Sequence, residues 1–187
     1  QATSVVYDAQ HGLSLDVYRP AAATTGRVPV VVFLYGGSWK RGSRAQYGFV
    51  GHRLAQLGVL AIVADYRTFP RTTFPGFVED AAAAVAWAQR HAADHGCDPQ
   101  RLFVAGHSAG AQIAALIGTD ARYLAPHNMR PGDLAGVIGL SGPYDFEISG
   151  YENVFGPEAQ WPRAQAVNFV DGDEPAFLLV HGTADTV

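Results

Sequence analysis

A serine stands at the centre of the most informative stretch of the sequence, Gly106-His107-Ser108-Ala109-Gly110. This pentapeptide matches G-x-S-x-G, follows an apolar run over residues 102–105 and precedes an Ala-rich run over residues 109–117. That order is typical of a buried strand, a sharp turn and a helix, with the serine hydroxyl exposed at the turn. The helix N-terminus then offers unpaired N–H groups and a positive dipole end to a developing anion. The pattern predicts a nucleophilic Ser108; the alternative is an ordinary glycine-rich turn.

Several polar or glycine-rich segments also follow apolar runs that have the length of buried strands. The runs cover residues 28–34, 59–64, 136–140 and 176–180. The residues that follow them include Gly36, Gly37, Ser38, Asp65, Ser141 and Asp185. In a parallel sheet the carboxyl ends of the strands meet at one edge, where functional loops collect. We therefore expect these residues to lie near Ser108.

The remaining pattern predicts an α/β fold. Segments 4–8 and 13–18 read as an opening hairpin, residues 19–26 as a surface loop, and residues 46–57 and 77–93 as helices. Uniformly apolar strands that alternate with helices are typical of a mainly parallel central sheet covered by helices on both faces. At 187 residues, we expect a single domain over 1–187.

Composition excludes several classes of function. The formal net charge is −4 and no basic run is present, so we expect no nucleic-acid partner. No apolar stretch reaches the roughly 18 residues that a membrane span requires. The lone cysteine, Cys97, rules out an intrachain disulfide. The sequence leaves the oligomeric state undetermined, and it leaves the compartment open: cytoplasmic, or periplasmic or secreted if a signal peptide preceded Gln1.

Four stretches together resemble the α/β-hydrolase superfamily, and within it small bacterial esterases related to hormone-sensitive lipase and to feruloyl and acetyl-xylan esterases. The matching stretches are residues 32–39, 64–67, 106–110 and 181–185, in the order in which the family has them. The resemblance covers nearly the whole chain. It implies a serine carboxylesterase, an enzyme that hydrolyses small carboxylic esters.

The resemblance also assigns roles to residues. It makes Ser108 the nucleophile and Asp185 the acid that orients a catalytic histidine. It implies that the N–H groups of Ala109, Gly37 and Ser38 form the oxyanion hole, with Gly36 beside them giving the backbone freedom to turn. It implies a small-molecule ester substrate, and neither a metal nor a cofactor.

The resemblance implies a histidine that the sequence does not supply where it is expected. The triad's histidine should follow Asp185 by roughly 25 to 40 residues, whereas the sequence ends at Val187. We expect the domain to be incomplete at its C-terminus, lacking the last strand and helix of the fold. The complete chain would have about 250 to 280 residues.

Other conspicuous residues have open or structural interpretations. Trp39 and Trp161 line a substrate pocket in one interpretation and pack in the core in the other. Asp65, Arg67 and Asp80 are interpreted as buried polar pairs that fix loops, and His107 and His181 as packing residues, His107 with its side chain turned away from that of Ser108.

Two other functions remain as alternatives to the esterase. One is an arylformamidase-like amidase, since such relatives share the Gly-Gly-x-Trp loop and the serine turn. The other is a non-catalytic binding protein that keeps the fold without the histidine.

Overall fold

A seven-stranded sheet forms the centre of the structure, a computed structural model that describes residues 2–20 and 28–186. The strands, in chain order, are β1 (Ala2–Asp8), β2 (Leu13–Tyr18), β3 (Val28–Leu34), β4 (Leu60–Ala64), β5 (Cys97–His107), β6 (Gly136–Leu140) and β7 (Phe177–Val180). Their spatial order is β1-β2-β4-β3-β5-β6-β7. β2 pairs with β1 and with β4, in both cases antiparallel. The other neighbouring pairs, from β4 through β3, β5 and β6 to β7, are parallel. The predicted hairpin and the mainly parallel sheet are confirmed.

Within the described ranges, four α-helices connect or cover the strands. They are α1 (Gly48–Gln56), α2 (Gly76–His91), α3 (Ala109–Thr119) and α4 (Glu152–Phe155). The predicted helix at 46–57 begins as a 3₁₀ turn over Arg44–Tyr47 before α1. The predicted loop at 19–26 lies largely outside the described residues. Among the helices in residues 2–20 and 28–186, none combines the length and the apolar character that a membrane crossing demands.

The sheet separates two cores, which β3 shows directly. Its residues Val30, Val32 and Leu34 join the larger core, which includes the buried residues of α2 and α3. Val31 and Phe33 face the smaller core, against which residues of α1 pack. Successive side chains of a strand point to opposite faces, so both faces of an entirely apolar strand must be covered. The predicted placement of helices on both faces is confirmed.

The strand register brings the predicted site residues to one edge of the sheet. Leu34 pairs with Gly106, and His107 pairs with Leu140, which pairs with Val180. The segments that follow β3, β5, β6 and β7 therefore leave the sheet at nearly the same level.

Candidate active site

Ser108 lies in a strained turn between β5 and α3. Its backbone has φ 54° and ψ −119°, a conformation that side-chain-bearing residues rarely adopt. Two sets of hydrogen bonds hold it there: its N–H donates to the carbonyl of Leu140 (2.9 Å), and its carbonyl accepts from the N–H groups of Ala111 (2.9 Å) and Gln112 (3.2 Å). The side chain is partly exposed at the N-terminus of α3, where Ala109 is the first helical residue.

Two glycines make the turn at Ser108 possible. A β-carbon on residue 106 would stand 2.2 Å from the carbonyl oxygen of Gly110, and one on residue 110 would stand 2.1 Å from that of Leu34. Both distances are far inside van der Waals contact, so glycine is required at each position. The closeness of Gly110 to Leu34 seats the start of α3 against the end of β3.

The loop after β3 lies directly against Ser108. A β-carbon on Gly36 would be 3.0 Å from the Cβ of Ser108. The carbonyl of Gly37 accepts from the N–H groups of Lys40 and Arg41, both at 3.1 Å. Because C=O and N–H point in opposite directions across a trans peptide, the N–H of Ser38 points away from that turn. The structure thus brings the predicted oxyanion-hole loop beside the predicted nucleophile.

A pair of tyrosines fixes the start of this loop. The rings of Tyr35 and Tyr66 are stacked with centroids 4.5 Å apart. The hydroxyl of Tyr66 donates to the carbonyl of Tyr35, and that of Tyr35 donates to the carbonyl of Tyr66 (3.2 Å). Burial raises the pKa of both hydroxyls, so each stays protonated and can donate. These bonds tie the loop after β3 to the segment after β4.

Trp39 is buried at the end of the same loop. It is 5 % exposed and packs among the rings of Phe146, Tyr151 and Phe155, at centroid distances of 5.4, 5.4 and 4.8 Å. Its indole N–H donates to the side-chain oxygen of Gln112 (3.0 Å). This environment is what the core-packing interpretation of Trp39 predicts.

Trp161 is partly buried in the 3₁₀ segment Glu158–Ala164. Its indole N–H donates to the carbonyl of Gly156 (2.9 Å), and its ring packs against the larger core. Trp161 therefore packs against the same core as Trp39 but is less buried.

Asp185 follows β7 at the same edge of the sheet, in the turn that begins at Gly182. One of its carboxylate oxygens lies 3.4 Å from Nε2 of His181. The prediction that His181 packs is wrong, because its side chain is 48 % exposed and faces the carboxylate instead. His181 therefore faces Asp185 rather than the core.

His107 is turned toward Tyr47, whose hydroxyl lies 3.0 Å from its Nδ1. Tyr47 belongs to the 3₁₀ turn that precedes α1, on the side of the smaller core. The side chain of His107 is therefore held by a partner of its own, in agreement with the prediction that it turns away from Ser108.

Ion pairs hold the loops behind the site, with one change from the prediction. Asp80 is 3 % exposed and accepts two hydrogen bonds from the guanidinium of Arg67 (2.8 and 2.9 Å) and one from its backbone N–H (2.9 Å). Asp65, predicted to join this set, pairs with Arg44, which also bonds Asp16 (3.0 Å). Both arrangements stabilise the segment after β4, which carries Tyr66.

One group of possible metal ligands occurs in the part of the chain that the structure describes. Ligand atoms of Asp8, His11 and Asp80 lie within 4.8 Å of one another. Asp80 already binds the guanidinium of Arg67, whose positive charge opposes a cation there. The donor set therefore fits a metal poorly.

Comparison with known proteins identifies the family of this fold and site. A family model described as BD-FAE matches residues 15–187. The chain belongs to the BD-FAE family. Esterase LipC of Mycobacterium tuberculosis is 32 % identical to this BD-FAE chain over an alignment 206 residues long. The alignment spans 98 % of the chain and 51 % of LipC. A probable isoprenylcysteine alpha-carbonyl methylesterase, ICMEL1, of Oryza sativa subsp. japonica is 44 % identical over 112 residues, 60 % of the chain and 26 % of ICMEL1.

Solved structures show the same fold. Thermogutta terrifontis esterase 2 phosphoramylated by tabun superposes with a TM-score of 0.85 at 29 % identity, covering 99 % of this BD-FAE chain and 72 % of that one. Another structure of the same esterase, described as propionate bound, gives a TM-score of 0.85 at 27 % identity and covers 73 % of that chain. The fold is thus the α/β-hydrolase fold, and the chain spans about half of the length of LipC.

One residue of the site escaped the sequence analysis. Gln112 is fully buried on the first turn of α3, where its side chain contacts both Trp39 and the carbonyl of Ala164 (2.9 Å). The only signal in the sequence was a lone polar residue within the apolar run 109–117.

Proposed function

We propose that the protein is a carboxylic ester hydrolase that forms an acyl-enzyme on Ser108. The observation that carries the proposal is the approach of the Gly36–Gly37 loop to the strained turn at Ser108. A serine at a helix N-terminus, faced by a second set of backbone N–H groups, suits attack on a carbonyl carbon and stabilisation of the resulting oxyanion.

In this mechanism Ser108 Oγ attacks the ester carbonyl carbon while a histidine takes its proton. The carbonyl oxygen becomes a tetrahedral oxyanion, which accepts hydrogen bonds from the N–H groups of Ala109, Gly37 and Ser38. Collapse of the intermediate breaks the bond to the alcohol oxygen, and the histidine returns the proton to that alcohol. Water then attacks the acyl-enzyme by the same steps and releases the carboxylic acid.

Asp185 orients the histidine and stabilises its protonated form in this proposal. The base is the histidine that the sequence analysis expects after Asp185. His107 and His181 end β5 and follow β7, and each already faces another side chain. We therefore assign the base to neither.

The relatives support an ester as the substrate, rather than an amide or no reaction. The names of LipC, ICMEL1 and the Thermogutta enzyme are all those of ester hydrolases. The propionate-bound structure of the Thermogutta enzyme supports a small acyl group. For this chain we accordingly propose short-chain carboxylic esters.

The test is labelling of the full-length protein with a fluorophosphonate probe, which reacts with an activated serine. Prompt labelling of the wild type and its loss in Ser108→Ala are expected, together with hydrolysis of p-nitrophenyl acetate. Ser141→Ala is a matched control, because Ser141 also has a positive φ (49°) and follows the next strand, β6. The Ser141→Ala variant should react with the probe as the wild type does. A wild type that neither labels nor hydrolyses the ester would overturn the proposal, and a strong preference for N-formylkynurenine would favour the amidase.

A further inference from the structure

The loop that carries the proposed oxyanion donors has a backbone that must be held in place. Ser38 and Trp39 have φ values of 52° and 60°. Side-chain-bearing residues in this left-handed region are strained, and two in succession persist only where surrounding contacts determine them.

The side chain of Trp39 is the anchor of this strained turn. It is buried within three aromatic rings, and its one polar atom donates to Oε1 of Gln112. Its carbonyl also accepts from the N–H of Phe69 (2.8 Å). The aromatic rings fix the plane of the indole. The directional hydrogen bond to Gln112 then selects one orientation of the indole in that plane.

The amide of Gln112 can occupy only one orientation. Its Nε2 donates to the carbonyl of Ala164 (2.9 Å), while its Oε1 accepts from Trp39 (3.0 Å). A flipped amide would place NH₂ against the indole N–H and oxygen against a carbonyl, which would leave both pairs unbonded in a fully buried site. The two partners together therefore fix Gln112.

The backbone of Gln112 joins this network to the nucleophile. Its N–H donates to the carbonyl of Ser108 (3.2 Å), one turn earlier in α3. One residue thus contacts the Ser108 turn through its main chain, the Ser38–Trp39 turn through Oε1, and the segment Glu158–Ala164 through Nε2.

We propose that Gln112 is a positioning residue that sets the Gly37 and Ser38 amides at the correct distance from Ser108. The proposal rests on the proposed esterase function and assigns no contact between Gln112 and the substrate. Its effect is exerted on the transition state, since the amides bind the oxyanion more strongly than the ground-state carbonyl.

The experiment measures kcat and KM for p-nitrophenyl acetate in the full-length protein and three variants of the network. Gln112→Met keeps the volume and removes both side-chain hydrogen bonds. Trp39→Phe keeps an aromatic ring and removes the indole N–H. For each we expect kcat and kcat/KM to fall together by at least about tenfold, with KM nearly unchanged, because displaced donors weaken only transition-state binding.

Gln112→Glu supplies a rescue that a purely structural role does not predict. A protonated carboxyl can accept from Trp39 and donate to Ala164 as the amide does, whereas the ionised carboxylate cannot donate. The kcat of this variant relative to wild type should therefore be close to one at low pH and fall as pH rises.

Thr119→Val is the matched control. Thr119 is a buried polar residue of the same helix whose hydroxyl donates to the carbonyl of Ala115 (2.8 Å), away from the loop. If kcat falls equally in Thr119→Val and Gln112→Met, or if only KM changes, the inference is overturned while the esterase function stands. A wild type without esterase activity overturns both, so the two failures are distinguishable.

Discussion

Gly36 and Ser108 approach so closely that a β-carbon on residue 36 would stand 3.0 Å from the Cβ of Ser108 and 2.9 Å from the carbonyl oxygen of His107. These distances leave no space for a side chain. Substitution of residue 36 therefore tests how closely the proposed oxyanion-hole loop must fit against Ser108.

Gly36→Ala is expected to lower kcat on short-chain esters by about 10², as loss of one oxyanion donor does, because the methyl group pushes the loop away from Ser108. Gly132→Ala is the control, since a β-carbon there would make only ordinary contact, 3.7 Å from the carbonyl of Asp173. Steady-state kinetics of both variants checks this. Equal activity of the two would mean that the loop does not act on the reaction.

His181 and Asp185 provide a second test of the proposed roles. His181 leaves the sheet two strands away from Ser108, about 10 Å at the usual strand spacing. Asp185→Asn should lower kcat by about 10⁴, since a triad histidine loses its orienting acid. His181→Gln should stay within about threefold of wild type. A loss in His181→Gln as large as that in Asp185→Asn would instead identify His181 as the base.

The Arg67–Asp80 pair is expected to contribute to stability far more than a surface pair. Arg67→Gln leaves the buried Asp80 carboxylate without its guanidinium partner and should reduce the free energy of unfolding by about 3 kcal/mol. Arg130→Gln breaks a pair with Asp133 in which the arginine is 80 % exposed. This variant should change the free energy of unfolding by less than about 1 kcal/mol. Urea unfolding midpoints with unchanged m-values measure both. Similar midpoints would contradict this account.

Buried tyrosines predict a steep loss of stability at alkaline pH. Burial is the main cause of the raised pKa values of Tyr7, Tyr35 and Tyr66. An unfolded tyrosine ionises near pH 10. The stability that each contributes is therefore complete below about pH 10, and it is lost as pH rises toward the folded pKa, at up to about 1.4 kcal/mol per pH unit.

The variant Tyr66→Phe tests this assignment. Its unfolding free energy should decline less steeply above about pH 10 than that of wild type, by up to about 1.4 kcal/mol per pH unit. Urea titrations at several alkaline pH values give the slope, and tyrosinate absorbance shows whether ionisation accompanies unfolding. An unchanged slope would show that Tyr66 ionises without unfolding.

The sequence was sufficient to predict the sheet and its functional edge, because those depend on local patterns. Uniformly apolar runs predicted β3, β4, β6, β7 and the second half of β5, whereas the polar first half of β5, from Cys97, was not predicted. The glycines around Ser108 predicted the turn into α3. The oxyanion-hole assignment and the role of Asp185 stay predictions until the variants are measured. The residues concerned lie at one edge of the sheet because the parallel strands that precede them end there. The apolar runs of the sequence are enough to predict this placement.

Contacts between distant segments could not be predicted in this way. Gln112 meets Trp39 from 73 positions away and Ala164 from 52. Asp65 pairs with Arg44, 21 positions earlier, rather than with its neighbour Arg67. Which residues meet depends on how helices and loops pack on the sheet, and local spacing does not contain that information.

The alternation of β3 between its two cores also limits how the chain can vary in length. Deleting one residue within β3 would turn the side chains beyond the deletion to the opposite face of the sheet, so that Val31 and Phe33 would point toward the larger core. The loop at Gly36 would then retreat by about 3.3 Å and turn to the opposite side of the sheet. No side-chain substitution could restore it. Insertions and deletions should thus be confined to connecting loops other than those after β3 and β5, where a change in length leaves Ser108 and the Gly37 and Ser38 amides in place.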